Sequence, residues 1–255
     1  MSLETTEDAV LGGKLILRQP RRGHRFGHDA ILLAAATAAA PGEHAVDLGS
    51  GVGTAGLALA WRVPDLAVTL VDINESLVAL AAENARRNGL AERVRAISLD
   101  VAGPASAFAA AGLAPASADR VLMNPPFNDP DRQQVSPDRL RREAHAASRD
   151  RLAIWVNAAN RLLRPDGTLT LIFRADGLND VRAALDADFG AVTMLPVLAK
   201  PAAAAIRVLV RAVKGSRLPL ILLPGFTLNG EDGKPSAEAE AVLRQGAALP
   251  FASLA

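Results

Sequence analysis

One heptapeptide narrows the folds open to this chain more than any other: Asp47-Leu48-Gly49-Ser50-Gly51-Val52-Gly53. It closes a short apolar run, His44 to Leu48, and precedes an Ala- and Leu-rich stretch that reads as a helix to about Arg62. Strand, glycine turn and helix make the first unit of a nucleotide-binding sheet. Glycine lets the backbone turn tightly and approach a ligand closely at a helix N-terminus. The alternation continues along the chain. Strand 67–71 runs into Asp72, helix 76–88 is closed by Gly89, strand 93–99 runs into Asp100, and the apolar run from Arg120 to Met123 stops at Asn124-Pro125-Pro126-Phe127. Helix 149–164, strand 168–174, helix 177–187 and strands 191–197 and 205–212 complete it. This pattern predicts an α/β fold, a doubly wound and mostly parallel sheet of seven strands. The last two strands have no helix between them, which predicts an antiparallel finish.

Smaller elements flank this core. Residues 10–19 carry Gly12-Gly13 and then Lys-Leu-Ile-Leu-Arg, the pattern of a short hairpin. A basic loop follows, with Asp29 as the expected N-cap of a helix from Ala30 to Ala39. Residues 1–29 are thus expected to form a hairpin and basic loop, and 30–255 the main domain. Residues 128–148 are polar, Arg-rich and long for a loop, hence mobile or functional. A last helix is expected from about Ser236 to Arg244.

Composition excludes several classes. Half of the 255 residues are apolar, which is not a disordered chain. No apolar run approaches the roughly 18 residues that span a bilayer, and the acidic first residues do not form a signal peptide. Cysteine is absent, which removes disulfides, thiolate metal sites and a cysteine nucleophile. His24, His28, His44 and His145 lack metal-ligand spacing, so a cytoplasmic protein without a metal is expected. The net charge of +1 hides an uneven distribution. Lys14, Arg18, Arg21, Arg22 and Arg25 occur with no acid among them, and further basic sets lie at Arg132 to Arg151 and Lys200 to Arg217. Each alone reads as a solvated face; together they suggest a surface for a polyanion such as RNA.

The strand ends carry the chemistry. Gly51-x-Gly53-x-x-Gly56 formally fits a dinucleotide fingerprint, which keeps an NAD-dependent oxidoreductase open. In that fold, however, the strand runs directly into the first glycine, and here it ends two residues earlier. Asp47 beside the loop is a poor neighbour for a pyrophosphate and a good one for an ammonium. Asp72 suits the two hydroxyls of a ribose, and Asp100 suits an adenine amino group. Ammonium, ribose and adenine without phosphate describe S-adenosylmethionine. Asn124-Pro125-Pro126-Phe127 read alone is a turn with a core aromatic behind it. Beside that cofactor it offers an amide oxygen, a proline carbonyl and a ring face to a planar NH2 group.

With these motifs combined, residues 24 to 213 resemble the class I methyltransferases of amino groups. The resemblance implies that Asn124, Pro125, Pro126 and Phe127 hold the target amino group. It also implies that Asp47, Gly49, Gly51, Gly53, Asp72, Asp100 and Asn124 surround the cofactor. Phe26-Gly27-His28-Asp29-Ala30-Ile31-Leu32-Leu33 and the tail from Gly230-Glu231-Asp232-Gly233-Lys234 to Leu243 are similar to the tRNA1(Val) adenine-N6 methyltransferase family. That likeness places Phe26 and Asp29 at the rim of the cofactor pocket and makes tRNA the expected partner, with Lys14, Arg18, Arg21, Arg22 and Arg25 on its backbone. The family's Gly-Thr-Asp is Gly27-His28-Asp29 here, and an aromatic of its tail is Pro235. Asn-Pro-Pro-aromatic motifs also occur in enzymes that methylate a glutamine of release factors, though those carry a helical N-terminal domain. A non-catalytic module binding S-adenosylmethionine or RNA is the third reading.

Overall fold

The computed structural model describes residues 4–22, 25–126 and 137–253. The chain opens with a hairpin, β1 (Thr5–Val10) and β2 (Leu15–Pro20), followed by α1 (His28–Ala36). The alternating part consists of β3 (His44–Leu48), α2 (Thr54–Arg62), β4 (Ala67–Asp72), α3 (Glu75–Arg87), β5 (Val94–Ser98), α4 (Ala105–Ala110), β6 (Ala118–Met123), α5 (Pro137–Leu162) and β7 (Leu163–Arg174). It finishes with α6 (Leu178–Leu185), β8 (Phe189–Leu198), β9 (Ala205–Lys214), the two-residue strands β10 (Ile221–Leu222) and β11 (Phe226–Thr227), and α7 (Ala237–Gln245).

Strand order in the large sheet is β10-β8-β9-β7-β6-β3-β4-β5, with β11 also on β8. From β5 across to β7 the pairs are parallel, and β9 runs antiparallel to both β7 and β8. The doubly wound sheet and its antiparallel finish are as the sequence predicts. Among the described residues it has nine strands rather than seven, because the two short strands add to the β8 edge. Two apolar layers sandwich it. One joins α1, α2 and α3 with hairpin residues Leu15 and Leu17 and with Val242 and Phe251 of the tail. The other joins α5 and α6 with Phe108 of α4.

Other boundaries depart from expectation for identifiable reasons. The N-cap of α1 is Gly27, with no side-chain capping bond; Asp29 lies in the first turn. Its carboxylate is drawn instead to Arg207 of β9, at 2.8 Å. Helix α5 begins at Pro137, so part of the stretch expected as a loop is helical backbone. Proline suits a first helical turn, where its missing N–H goes unused. Helix α4, too short to show a periodicity, was not expected at all.

Helix α3 ties the polar hairpin to the sheet. Asn88 accepts the Ile16 N–H and donates to the Ile16 carbonyl, both at 2.9 Å, and Glu83 and Arg87 make ion pairs with Arg18 and Glu7. Asn84 of α3 is fully buried. Its Oδ1 accepts the Arg18 N–H at 2.8 Å, and its Nδ2 donates to the carbonyls of Arg18 and Val52, both at 3.0 Å. Val52 belongs to the glycine loop, so one side chain sets hairpin and loop together.

Candidate active site

Strand β3 lies where the strand order reverses, with β4 on one side and β6 on the other. Such a point opens a crevice beyond the carboxyl ends of the strands. Leu48 pairs with Met123, so Gly49 and Asn124 leave the sheet side by side. The fold therefore brings the glycine loop and the Asn-Pro-Pro turn to one place, although some 75 residues separate them along the chain.

Around the loop each carboxylate has a defined task. Asp72 Oδ2 accepts the Gly51 N–H at 2.8 Å and Oδ1 the Asn74 N–H at 2.9 Å. Both oxygens are oriented by backbone, and each keeps a lone pair for a further donor. Asp100, at the neighbouring strand end, is exposed and accepts the Ala102 N–H at 2.8 Å. Asp47 differs from both. It is buried at 2 % exposure, and its Oδ2 accepts the Gly56 N–H of α2 at 2.9 Å. Burial pushes its carboxyl up to about 7; the Gly56 bond opposes that rise and the nearby Asp72 charge adds to it. Asp47 thus binds the glycine loop to the helix and changes charge close to neutrality.

Two glycines show why the loop needs that residue. Gly49 has φ +71°, and a Cβ there would collide with the Trp155 ring of α5. Gly51 has φ +55°, and a Cβ there would meet nothing within 4 Å. The loop is packed from behind at Gly49 and open in front at Gly51. Gly53, at φ +90°, is the N-cap of α2.

Asn124 supplies the most telling atom. Its Oδ1 is buried and has no hydrogen-bond partner among the described residues. A buried acceptor left unpaired costs about 1–3 kcal/mol, and a catalytic role is one of the reasons a protein keeps such an orphan. Pro125 behind it is buried and Pro126 is exposed. Phe127 lies outside the described residues. The open face at Gly51, the oriented Asp72 carboxylate and the orphan Asn124 oxygen fit S-adenosylmethionine with a donor group beside it.

Expected residues further out are distributed differently. Phe26 lines a cavity of about 780 Å³ between the hairpin turn, the start of α1 and α7, together with His28, Asn229 and Leu243. The two segments similar to the tRNA methyltransferase family thus face one another across this cavity. The basic run is free of acid only along the chain. Folding sets Arg18 against Glu83 at 2.7 Å and Arg25 against Asp8 at 2.9 Å, and brings Arg21 within 3.9 Å of Glu4. Lys14 donates to the Gln245 carbonyl at 2.8 Å and lies over the Trp61 ring. Arg22 is exposed and has no ion pair among the described residues. Local reading missed Trp155 and Asn84. A polar residue on the apolar stripe of α3 was a usable sign for Asn84; nothing near Trp155 points to Gly49.

The sequence profile described as the methyltransferase small domain matches residues 26–200. The chain belongs to that family. Among curated relatives, the tRNA1(Val) (adenine(37)-N6)-methyltransferase of Aeromonas hydrophila is 30 % identical over 195 residues, 75 % of this chain and 77 % of that protein. A release factor glutamine methyltransferase of Chlorobaculum tepidum is 29 % identical over 161 residues, 59 % of this chain. This chain spans only about half of that relative's length, 52 %. Among solved structures, an Agrobacterium tumefaciens protein described as a predicted O-methyltransferase superposes with a TM-score of 0.73 at 26 % identity, covering 87 % of this chain and 98 % of its own. The class I methyltransferase fold is established by that likeness, and S-adenosylmethionine is the cofactor of the family and fold. Among the described residues no group of three or more His, Asp or Glu side chains could hold a metal, and no helix is long and apolar enough to cross a membrane.

Proposed function

We propose that this protein methylates an exocyclic amino group, adenine N6 in a tRNA, using S-adenosylmethionine, in the cytoplasm. The observation that carries the reading is the buried, unpartnered Asn124 Oδ1 at the switch point beside the glycine loop. An amide oxygen accepts and never donates. It therefore selects a substrate atom bearing hydrogen, and a planar NH2 presents two such hydrogens.

Asp72 would hold the ribose hydroxyls of the cofactor, Asp100 its adenine amino group, and Asp47 would lie toward its ammonium. Bound there, S-adenosylmethionine supplies an electrophilic methyl group. Asn124 and the Pro125 carbonyl orient the target nitrogen so that its lone pair turns out of ring conjugation. Positioning of this kind lowers much of a barrier without a strong base. Phe127, next in the motif, is assigned the stacking face for the base. Arg22 and Arg21 are the basic-run residues best placed to reach an RNA backbone, since Arg18 and Arg25 already serve acids of the hairpin and α3.

The reading of tRNA over protein is supported by the Aeromonas relative, which matches three quarters of both chains, against about half of the glutamine methyltransferase. The purified protein, given methyl-labelled cofactor with bulk tRNA in one tube and a release factor in another, should label the RNA. Label confined to the release factor would replace adenine by glutamine as the target.

A further inference from the structure

Below α1, on the same face of the sheet, one positive charge has no counter-charge among the described residues. Arg211 of β9 keeps 8 % of its surface exposed. Its Nε is fully buried without a hydrogen bond, and no carboxylate pairs with it among the described residues. Strand register sets Thr170 of β7 beside it on one flank and Thr193 of β8 on the other, both buried. The Thr170 Oγ1 is a second buried atom without a partner.

The neighbouring charges do not relieve this. Arg120 of β6 is held by Glu43 through two bonds, at 2.6 and 2.8 Å, and donates to Thr168 at 3.1 Å. Glu43 is therefore committed to Arg120. The Arg120 charge acts against Arg211, whose guanidinium is pulled below its usual range mainly by burial and then by Arg120. A guanidinium does not escape by losing its proton, and an enclosed charge without a partner is strongly destabilising. Only Nε among its nitrogens is fully enclosed, so the outer edge of the group remains open to an arriving ion.

We infer that Arg211, Thr170 and Thr193 form a binding site for a small inorganic anion, chloride or phosphate, separate from the methyl-transfer crevice. A planar fork flanked by two threonines offers donors on three sides, and the Arg211 Nε and the Thr170 hydroxyl are without a partner. The site lies at mid-strand, since Arg211 is level with Thr170 and Leu122, whereas the crevice begins beyond Met123. Nothing in the methyl-transfer reading requires it.

Thermal unfolding of the whole protein tests the site, with sodium chloride or sodium phosphate replacing sodium gluconate at constant ionic strength. The unfolding midpoint of the unaltered protein should rise by about 5 °C at a hundredfold excess of the bound anion over its Kd. Arg211→Met should begin at an equal or higher midpoint in gluconate and lose that rise, because the buried charge is gone. Thr170→Val should keep part of it. General salt effects act on all three proteins, so the difference between them is the reading. A rise with chloride alone, or with phosphate alone, names the ion. Equal dependence in all three would overturn the site and leave Arg211 an ordinary hydrated arginine. Should Arg211→Met fail to fold, NMR of the two anions decides. Broadening of the chloride-35 or of the phosphate phosphorus-31 line by the unaltered protein that exceeds that of Thr170→Val supports the site, and equal broadening of both lines rejects it.

Discussion

The crevice at the carboxyl ends of β3, β4 and β6 and the N-terminal hairpin are both polar, yet they are finished differently. In the hairpin nearly every charge has an answer within the protein: Arg18 with Glu83, Arg25 with Asp8, Arg87 with Glu7 at 2.6 Å. Gln19, buried between the strands, donates to Asp8 and accepts the Phe26 N–H. That amide, helped by Thr6 and Arg25 and opposed by burial, holds the Asp8 carboxyl below its ordinary value. In the crevice the answers are missing. Among the described residues Asn124 Oδ1 has no partner, Gly51 faces open space, and Asp47 is a carboxyl buried without a cation. A satisfied polar region contributes to stability; an unsatisfied one is kept because something else completes it. Substitutions in the crevice should therefore alter chemistry, and substitutions in the hairpin should alter folding.

Asn124→Ala gives the largest expected effect. Turnover should fall by about a hundredfold or more, since one misplaced positioning group costs that much, while calorimetry finds cofactor affinity nearly unchanged. Ordinary turnover in this variant would erase the contrast between the two regions.

Asp47→Asn sharpens it through pH. A carboxyl raised to about 7 in the folded state holds its proton more tightly there than in the unfolded chain. Its contribution is fully favourable below the unfolded value near 4, fades as pH rises through about 7, and is then level. From pH 5 to 8 the natural protein should thus lose on the order of 2 kcal/mol from this group, and Asp47→Asn should not. Urea unfolding at the two pH values gives the difference, and parallel losses would remove the assignment.

Asp72→Ala should weaken cofactor binding by about thirtyfold, or about 2 kcal/mol, with the unfolding midpoint little changed. On the hairpin side the pattern should invert. Asn84→Ala should cost about 1–3 kcal/mol by leaving the groups it serves unpaired, and Arg18→Ala no more than about 1 kcal/mol, its ion pair being partly exposed and screened by salt. The Arg18→Ala protein should transfer methyl groups at a near-normal rate once folded, whereas Asn84→Ala also releases Val52 of the glycine loop and is read by stability alone. An Arg18→Ala protein of full stability but impaired turnover would mean that the hairpin serves the chemistry directly.

Much of the fold was legible because the strand and helix periods differ and because Gly, Asp and Pro mark the turns between them. Asp72, Asp100 and Asn124 stand at strand ends, where a linear reading puts them. What escaped depends on partners far along the chain. The run from Lys14 to Arg25 looked like a positive surface, but its acids come from β1 and α3, as Glu83 on Arg18 shows. Asp29 looked like a helix cap until Arg207, 178 residues away, claimed it. Trp155 shapes the glycine loop from α5, and no local pattern announces that contact. The cavity that Phe26 lines is closed by α7, at the other end of the chain.

The central claim is that an unpartnered amide oxygen chooses an amino group, and the methylated atom tests it. The neighbour from Agrobacterium tumefaciens is described as a predicted O-methyltransferase, so oxygen is the alternative that matters. Bulk tRNA treated with the purified protein and S-adenosylmethionine, digested to nucleosides and read by mass spectrometry, locates the methyl group. We expect it on the exocyclic nitrogen of adenosine, present with the natural protein and lost with Asn124→Ala. A methyl group on a ribose oxygen, undiminished in that variant, would contradict the account.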